Sequence, residues 1–170
     1  CLLQALAEPG VGLAFSDADV VDERSSPLGY TMWQRVGFNK SEQERMVAGD
    51  GLGVLLKHFV VTGATLAFRA NLRSLLLPLP PEWPHDAWIA SVAAAVTTLH
   101  PIDKPLVQYR QHGNNVVGGK RISVIEQGRH GLALGREAYY RTEIERFLTL
   151  LQRLQAAGVG KSIVVEAKLA

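Results

Sequence analysis

What this sequence has little of narrows it first. It has one cysteine, Cys1, so no disulfide can form within the chain, and a reducing compartment is the expectation. No stretch approaches the roughly 20 consecutive apolar residues of a membrane span. No basic segment leads into an apolar one, as a secretion signal requires. Neither sign of charge dominates, since 18 Lys and Arg face 16 Asp and Glu for a net charge of +2. That balance argues against a nucleic-acid partner, which would need clustered positive charge.

What is present suffices for one core. Apolar residues make up 47% of 170 positions, and a chain of this size buries roughly 70% of its unfolded surface. Leu2, Leu3 and Leu6 read as a helix that Glu8-Pro9-Gly10 stops. The chain opens on Cys1 inside that helix, so the expectation is a fragment of a longer protein. Residues 11–16 form an apolar run after Pro-Gly, read as a buried strand. Residues 17–26 are then a polar loop at that strand's carboxyl end, the edge where open α/β sheets bind ligands. Ser41-Glu42-Gln43-Glu44 has the capping-box pattern and predicts a helix toward Lys57, weakened by Gly49, Gly51 and Gly53.

Further along, residues 59–68 read as a strand and 71–77 as a short helix ended by Pro78, Pro80 and Pro81. Residues 86–98 are Ala-rich and apolar all round, the mark of a buried helix. Residues 106–111 read as a strand, 121–157 as one or two helices broken near 128–135, and 162–165 as a terminal strand. The alternation of strand and helix predicts an α/β fold.

Four segments carry chemistry. Asp17-Ala18-Asp19 places two carboxylates in the loop beyond a buried strand. Hard cations such as Mg²⁺ or Mn²⁺ take oxygen ligands and share them between one or two carboxylates and substrate phosphates; turn chemistry is the plainer reading of such a pair. Gly63, Ala64 and Thr65 offer little side chain, which suits either a ligand or tight packing. Asp86 sits at a helix start, where it serves as a cap or as a general base kept beside the positive end of the helix. His85 is its polar neighbour. His112 lies on a late loop and can complete a two-carboxylate metal site, Arg110 can offset charge on a leaving diphosphate, and Trp83 or Trp88 can stack on a sugar when not in the core.

Taken together, Phe15-Ser16-Asp17-Ala18-Asp19, Val61-Thr62-Gly63-Ala64-Thr65, His85-Asp86-Ala87-Trp88 and the stretch from Pro105 through Tyr109-Arg110-Gln111-His112-Gly113-Asn114-Asn115 to Val116 resemble the family 2 glycosyltransferases, most closely their rhamnosyltransferase-like members. The resemblance covers about residues 10 to 118 in the expected order. It implies the C-terminal part of a GT-A-type, Rossmann-like mixed sheet flanked by helices: residues 1–118 as the metal and acceptor half, 119–170 as a helical extension. The nucleotide-binding βα units of the family are absent from this sequence, so the isolated piece is expected to be inactive. Val20 stands where many relatives carry a further acid.

The resemblance also implies an inverting, metal-dependent sugar transfer from a nucleotide-sugar donor to a glycan or lipid-linked acceptor, as in polysaccharide biosynthesis. Asp86 would be the base, Asp17, Asp19 and His112 the ligands of Mg²⁺ or Mn²⁺. Gly63, Ala64, Thr65, Trp83, His85, Trp88, Arg110 and Asn115 would line the substrate site. The alternatives are a non-catalytic domain that binds carbohydrate or protein, and a metal-dependent phosphoesterase. Location is expected in the cytoplasm, with peripheral contact at the inner face of the membrane as an option. The amphipathic tail, with Tyr139, Tyr140, Phe147 and Leu151, is expected to cover the domain's own core; a membrane surface or a second copy in a homo-oligomer is the alternative.

Overall fold

The computed structural model describes residues 1–111 and 136–169. A short helix α1, Leu2–Ala7, ends where predicted, and Gly10 at φ 81° turns the chain into strand β1, Val11–Val21. Strand β4, Thr98–Arg110, pairs with β1 in parallel from Val11 to Val21. Two antiparallel strands, β2 at Pro27–Thr31 and β3 at Leu66–Phe68, therefore share the opposite edge of β1. The fold is mixed α/β, with β1 at its centre.

This pairing corrects the expected end of the first strand. Asp17 faces Pro105 on β4, Asp19 faces Gln108 on β4 and Thr31 on β2, and Val21 faces Arg110 and Pro27. A ladder on both edges outweighs the low strand preference of aspartate. The predicted loop shrinks to a turn in which Asp22 Oδ1 accepts the N–H groups of Arg24 and Ser26, both at 2.8 Å.

Three further expectations change. The helix after Phe38 starts earlier: α3 is Lys40–Arg45, and its capping box uses Asn39 and Glu42 rather than Ser41 and Glu44. A π-helical turn, Met46–Asp50, follows with Gly49 at φ 93°, and then α4, Gly51–Leu55. Residues 59–68 are mostly not strand; only Leu66–Phe68 pairs, after a 3₁₀ turn at Gly63–Thr65. The segment expected as a last strand is a helix, which shares the core through Val165.

Directly after β2 comes α2, Met32–Val36, boxed by Thr31 and Gln34 and closed by Gly37 in the left-handed conformation. The short α5 is Arg73–Leu76, and α6, His85–Val96, is buried over most of its length as predicted. Gly12 lets the end of α6 press on β1, since a Cβ there would fall 2.4 Å from Thr97 Oγ1. Helix α7, Arg136–Ala156, and helix α8, Ser162–Leu169, complete the described chain. Phe147, Leu150, Leu154 and Val165 join Leu13, Phe15 and Trp88 in one hydrophobic cluster, so these helices cover the same core as the sheet. No described helix is long and apolar enough to cross a membrane.

Candidate functional site

Leu13 and Phe15 point into the main core, while Ala18 and Val20 belong to a smaller cluster with Met32. Asp17 follows Phe15 along the strand and remains buried, at 7% exposure. Its Oδ1 accepts the N–H of Ala18 at 2.7 Å and that of Trp33 at 3.0 Å. The first carboxylate of the pair thus closes the start of α2. Asp19 is exposed, and its side chain makes no hydrogen bond or ion pair among the described residues.

Opposite Asp17 the ladder is irregular. Ser16 faces Ile102 and Asp17 faces Pro105, so Asp103 and Lys104 bulge out of β4. Bulges often sit next to functional sites because they re-aim side chains. Pro105 is tolerated there because it lies at the bulge of a strand paired to β1 alone.

The turn Gly63–Thr65 lies against β1, because Leu66 pairs with Phe15 and the turn precedes it directly. Thr65 is buried and donates its hydroxyl to Thr62 O at 2.8 Å, while Ala64 is exposed. The main-chain N–H of Gly63 donates to Asp86 Oδ2 at 3.0 Å, and Asp86 Oδ1 accepts the N–H of Ala87 at 2.9 Å. Asp86 is therefore not the N-cap. Pro84 holds that position, and Asp86 stands in the first turn with its carboxylate turned to Gly63. His85 is exposed beside it, and its Nε2 would lie 2.6 Å from a Cβ at residue 63. A side chain at residue 63 would have to displace that ring.

The structure thus joins the small-residue turn to the His85-Asp86 helix start, and sets that turn beside the Asp17 end of β1. It does not bring the tryptophans to the surface. Trp88 is fully buried, donates its indole N–H to Leu76 O at 2.9 Å, and has the Arg153 guanidinium 5.1 Å from its ring centre. Trp83 is 5% exposed, donates to Arg146 O at 3.0 Å, and meets Trp88 edge-on at 5.7 Å. Both expectations of a sugar platform are corrected: these rings fill the core. Arg110 lies exposed at the end of β4, where its Nη2 donates to Ser25 Oγ at 3.1 Å. His112 and Asn115 fall outside the described residues.

Among the described residues no group of three or more His, Cys, Asp or Glu side chains is gathered for a metal. Of the expected ligands, Asp17 is engaged by two main-chain N–H groups, Asp19 is open, and His112 lies outside the described residues.

Two carboxylates to which the sequence reading gave no chemical role are held by hydrogen bonds. Glu42 is buried at 3% exposure and accepts Lys57 Nζ at 2.6 Å, His58 Nε2 at 3.2 Å and the Asn39 N–H at 3.3 Å. Burial pushes its carboxyl up, but the Lys57 and Asn39 hydrogen bonds and the charge of His58 and Lys57 outweigh that and hold it below the usual range. The Thr149 hydroxyl does the same for Glu82. Comparison with family models, with curated proteins and with solved structures finds no match.

Proposed function

We propose that this chain carries the metal and acceptor half of a glycosyltransferase of GT-A type. The observation that supports the reading best is the 3.0 Å bond from Gly63 N–H to the Asp86 carboxylate. It ties two of the motifs that resemble family 2 glycosyltransferases into one place, beside the strand that carries a third.

In this reading Asp86 is the base. Two main-chain donors, one from Gly63 and one from Ala87, fix its carboxylate. It draws the proton from an acceptor hydroxyl as that oxygen attacks the anomeric carbon. The bond from that carbon to the diphosphate oxygen breaks, and its electron pair leaves with the nucleoside diphosphate, giving inversion. Asp19 would hold Mg²⁺ or Mn²⁺, which offsets the charge on the leaving diphosphate. Exposed Ala64 and half-buried Gly63 leave room for the acceptor next to Asp86. The donor is a nucleotide sugar, the acceptor a glycan or a lipid-linked glycan, and the setting the cytoplasmic side of a membrane.

The test is nucleotide-sugar turnover across a donor panel with Mn²⁺ by the chain together with the nucleotide-binding half that this reading requires, comparing wild type with Asp19→Asn and Asp86→Asn. Turnover of one donor, lost in both variants, supports the transferase. Release of phosphate from simple esters without any sugar acceptor would replace it with a phosphoesterase. Carbohydrate binding that survives Asp86→Asn, with no turnover, would leave a binding module.

A further inference from the structure

We infer that Arg146, Thr149 and Arg153 of α7 are positioning residues for Asp86, acting through the proline-rich segment that leads into α6. The inference rests on the proposed role of Asp86 for its chemical consequence, and on geometry alone for the positioning.

The segment before α6 holds Pro78, Pro80, Pro81 and Pro84. Proline has no N–H, so this stretch can build neither a helix nor a ladder of its own. Its carbonyls must find donors elsewhere or in water. Helix α7 supplies them. Arg153 Nη1 donates to Leu75 O at 2.7 Å and Leu77 O at 3.0 Å, and its Nη2 to Pro78 O at 3.0 Å. Arg146 Nε donates to Glu82 O at 2.8 Å, and Thr149 Oγ1 to Glu82 Oε1 at 2.6 Å. In return Trp83 donates its indole N–H to Arg146 O. Spacings of three and four residues place the three side chains on one face of α7.

A helix that only covered the core would need Phe147, Leu150 and Leu154 and nothing more. Instead, polar groups between those apolar positions grip the main chain at both ends of the proline segment. Arg146 keeps a further bond to Glu143 on its own helix, and Thr149 one to Glu145 O, so each grip is itself braced. The grip at Glu82 comes just before Pro84, where α6 begins. Its first turn carries Asp86. A base displaced by about 1 Å can lose up to about a hundredfold in rate, so the place where this segment is held sets how Asp86 meets Gly63 and an acceptor.

The experiment measures hydrogen exchange of the Gly63 amide in wild type and in Asp86→Ala, Thr149→Val and Arg153→Lys. The wild-type amide is protected by its bond to the Asp86 carboxylate, and loss of that protection in Asp86→Ala assigns it. Thr149→Val keeps shape while removing the hydroxyl, and Arg153→Lys keeps the cation while removing the fork. Both are expected to lose most of the Gly63 protection while the Leu13 and Phe15 amides keep theirs.

Wild-type protection of Gly63 in both variants overturns the inference, and if Arg153→Lys fails to fold, Thr149→Val alone decides. With a turned-over donor in hand, kcat is expected to fall about tenfold or more, with KM changed less. Absence of any donor turnover by the wild-type chain together with its nucleotide-binding half would strike the proposed reaction, and the amide measurement would still decide the positioning.

Discussion

The carboxylate of Asp17 accepts the Trp33 main-chain N–H at 3.0 Å, sixteen residues along the chain, through the oxygen that also takes the Ala18 N–H. Asp19, two residues on, makes no side-chain bond among the described residues. The two carboxylates are therefore expected to separate on mutation. Asp17→Ala leaves a buried donor at the start of α2 and should cost about 1–3 kcal/mol. Asp19→Ala should stay within about 0.5 kcal/mol of wild type while lowering Mn²⁺ affinity. Urea unfolding and a Mn²⁺ titration check the pair, and equal stability of the two variants would dismiss the capping role of Asp17.

Gly12 and Gly63 both face atoms that a Cβ would strike, and the outcomes should differ. At Gly12 the obstacle is Thr97 from Cβ outward, with the nearest atoms at 2.4, 2.5 and 2.6 Å. Thr97 is fixed through its hydroxyl to Ala93 O. Gly12→Ala should destabilise by about 1–3 kcal/mol, the usual range for overpacking. At Gly63 the nearest atom is the tip of the exposed His85 ring, which can swing away. Gly63→Ala should leave the thermal midpoint close to wild type but move the His85 ring resonances.

Glu42 gives a pH prediction with a defined sign. Its carboxyl is held below the usual range, so its contribution is present above the unfolded value and is lost as pH falls through the folded one. Wild type should therefore exceed Glu42→Gln in thermal midpoint at neutral pH. The gap should close as the solution is acidified. A gap independent of pH would show that the carboxylate's charge does not matter there.

Trp83 should behave as a core residue. Trp83→Phe keeps most of the ring packing but removes the bond to Arg146 O, at a cost of about 1 kcal/mol. Added sugars should leave its fluorescence unchanged. A sugar-dependent shift assigned to Trp83 would restore it to the binding surface.

Much of this was legible in the residues. The alternation of elements, the buried Ala-rich helix and the closure of α1 by Glu8-Pro9-Gly10 all come from local pattern. The end of β1 was not legible, because the pairing that extends it through Asp17 and Asp19 involves partners over eighty residues away on β4. The capping box slipped from Ser41 to Asn39 although Asn39-Lys40-Ser41-Glu42 carries the same pattern with an equally good cap. At the candidate site the motifs predicted Gly63 and Asp86 separately. Their contact is a tertiary fact, as is the burial of Trp83 and Trp88. One signal was available for the α7 contacts: four prolines in a short stretch leave carbonyls that some distant donor must take.

Lys161 carries a last consequence. Its ammonium donates to Gly49 O at 3.0 Å and to Ala94 O at 3.1 Å, one carbonyl in the kinked π turn and the other near the end of α6. Neither element is close to Lys161 in sequence, so a thermal fluctuation that lifts the chain there uncovers main chain in two other places at once. Local fraying is thereby converted into a shared event. Amide exchange at the π turn, at the end of α6 and in α8 should follow a common opening rate, so that these three regions form one cooperative unit.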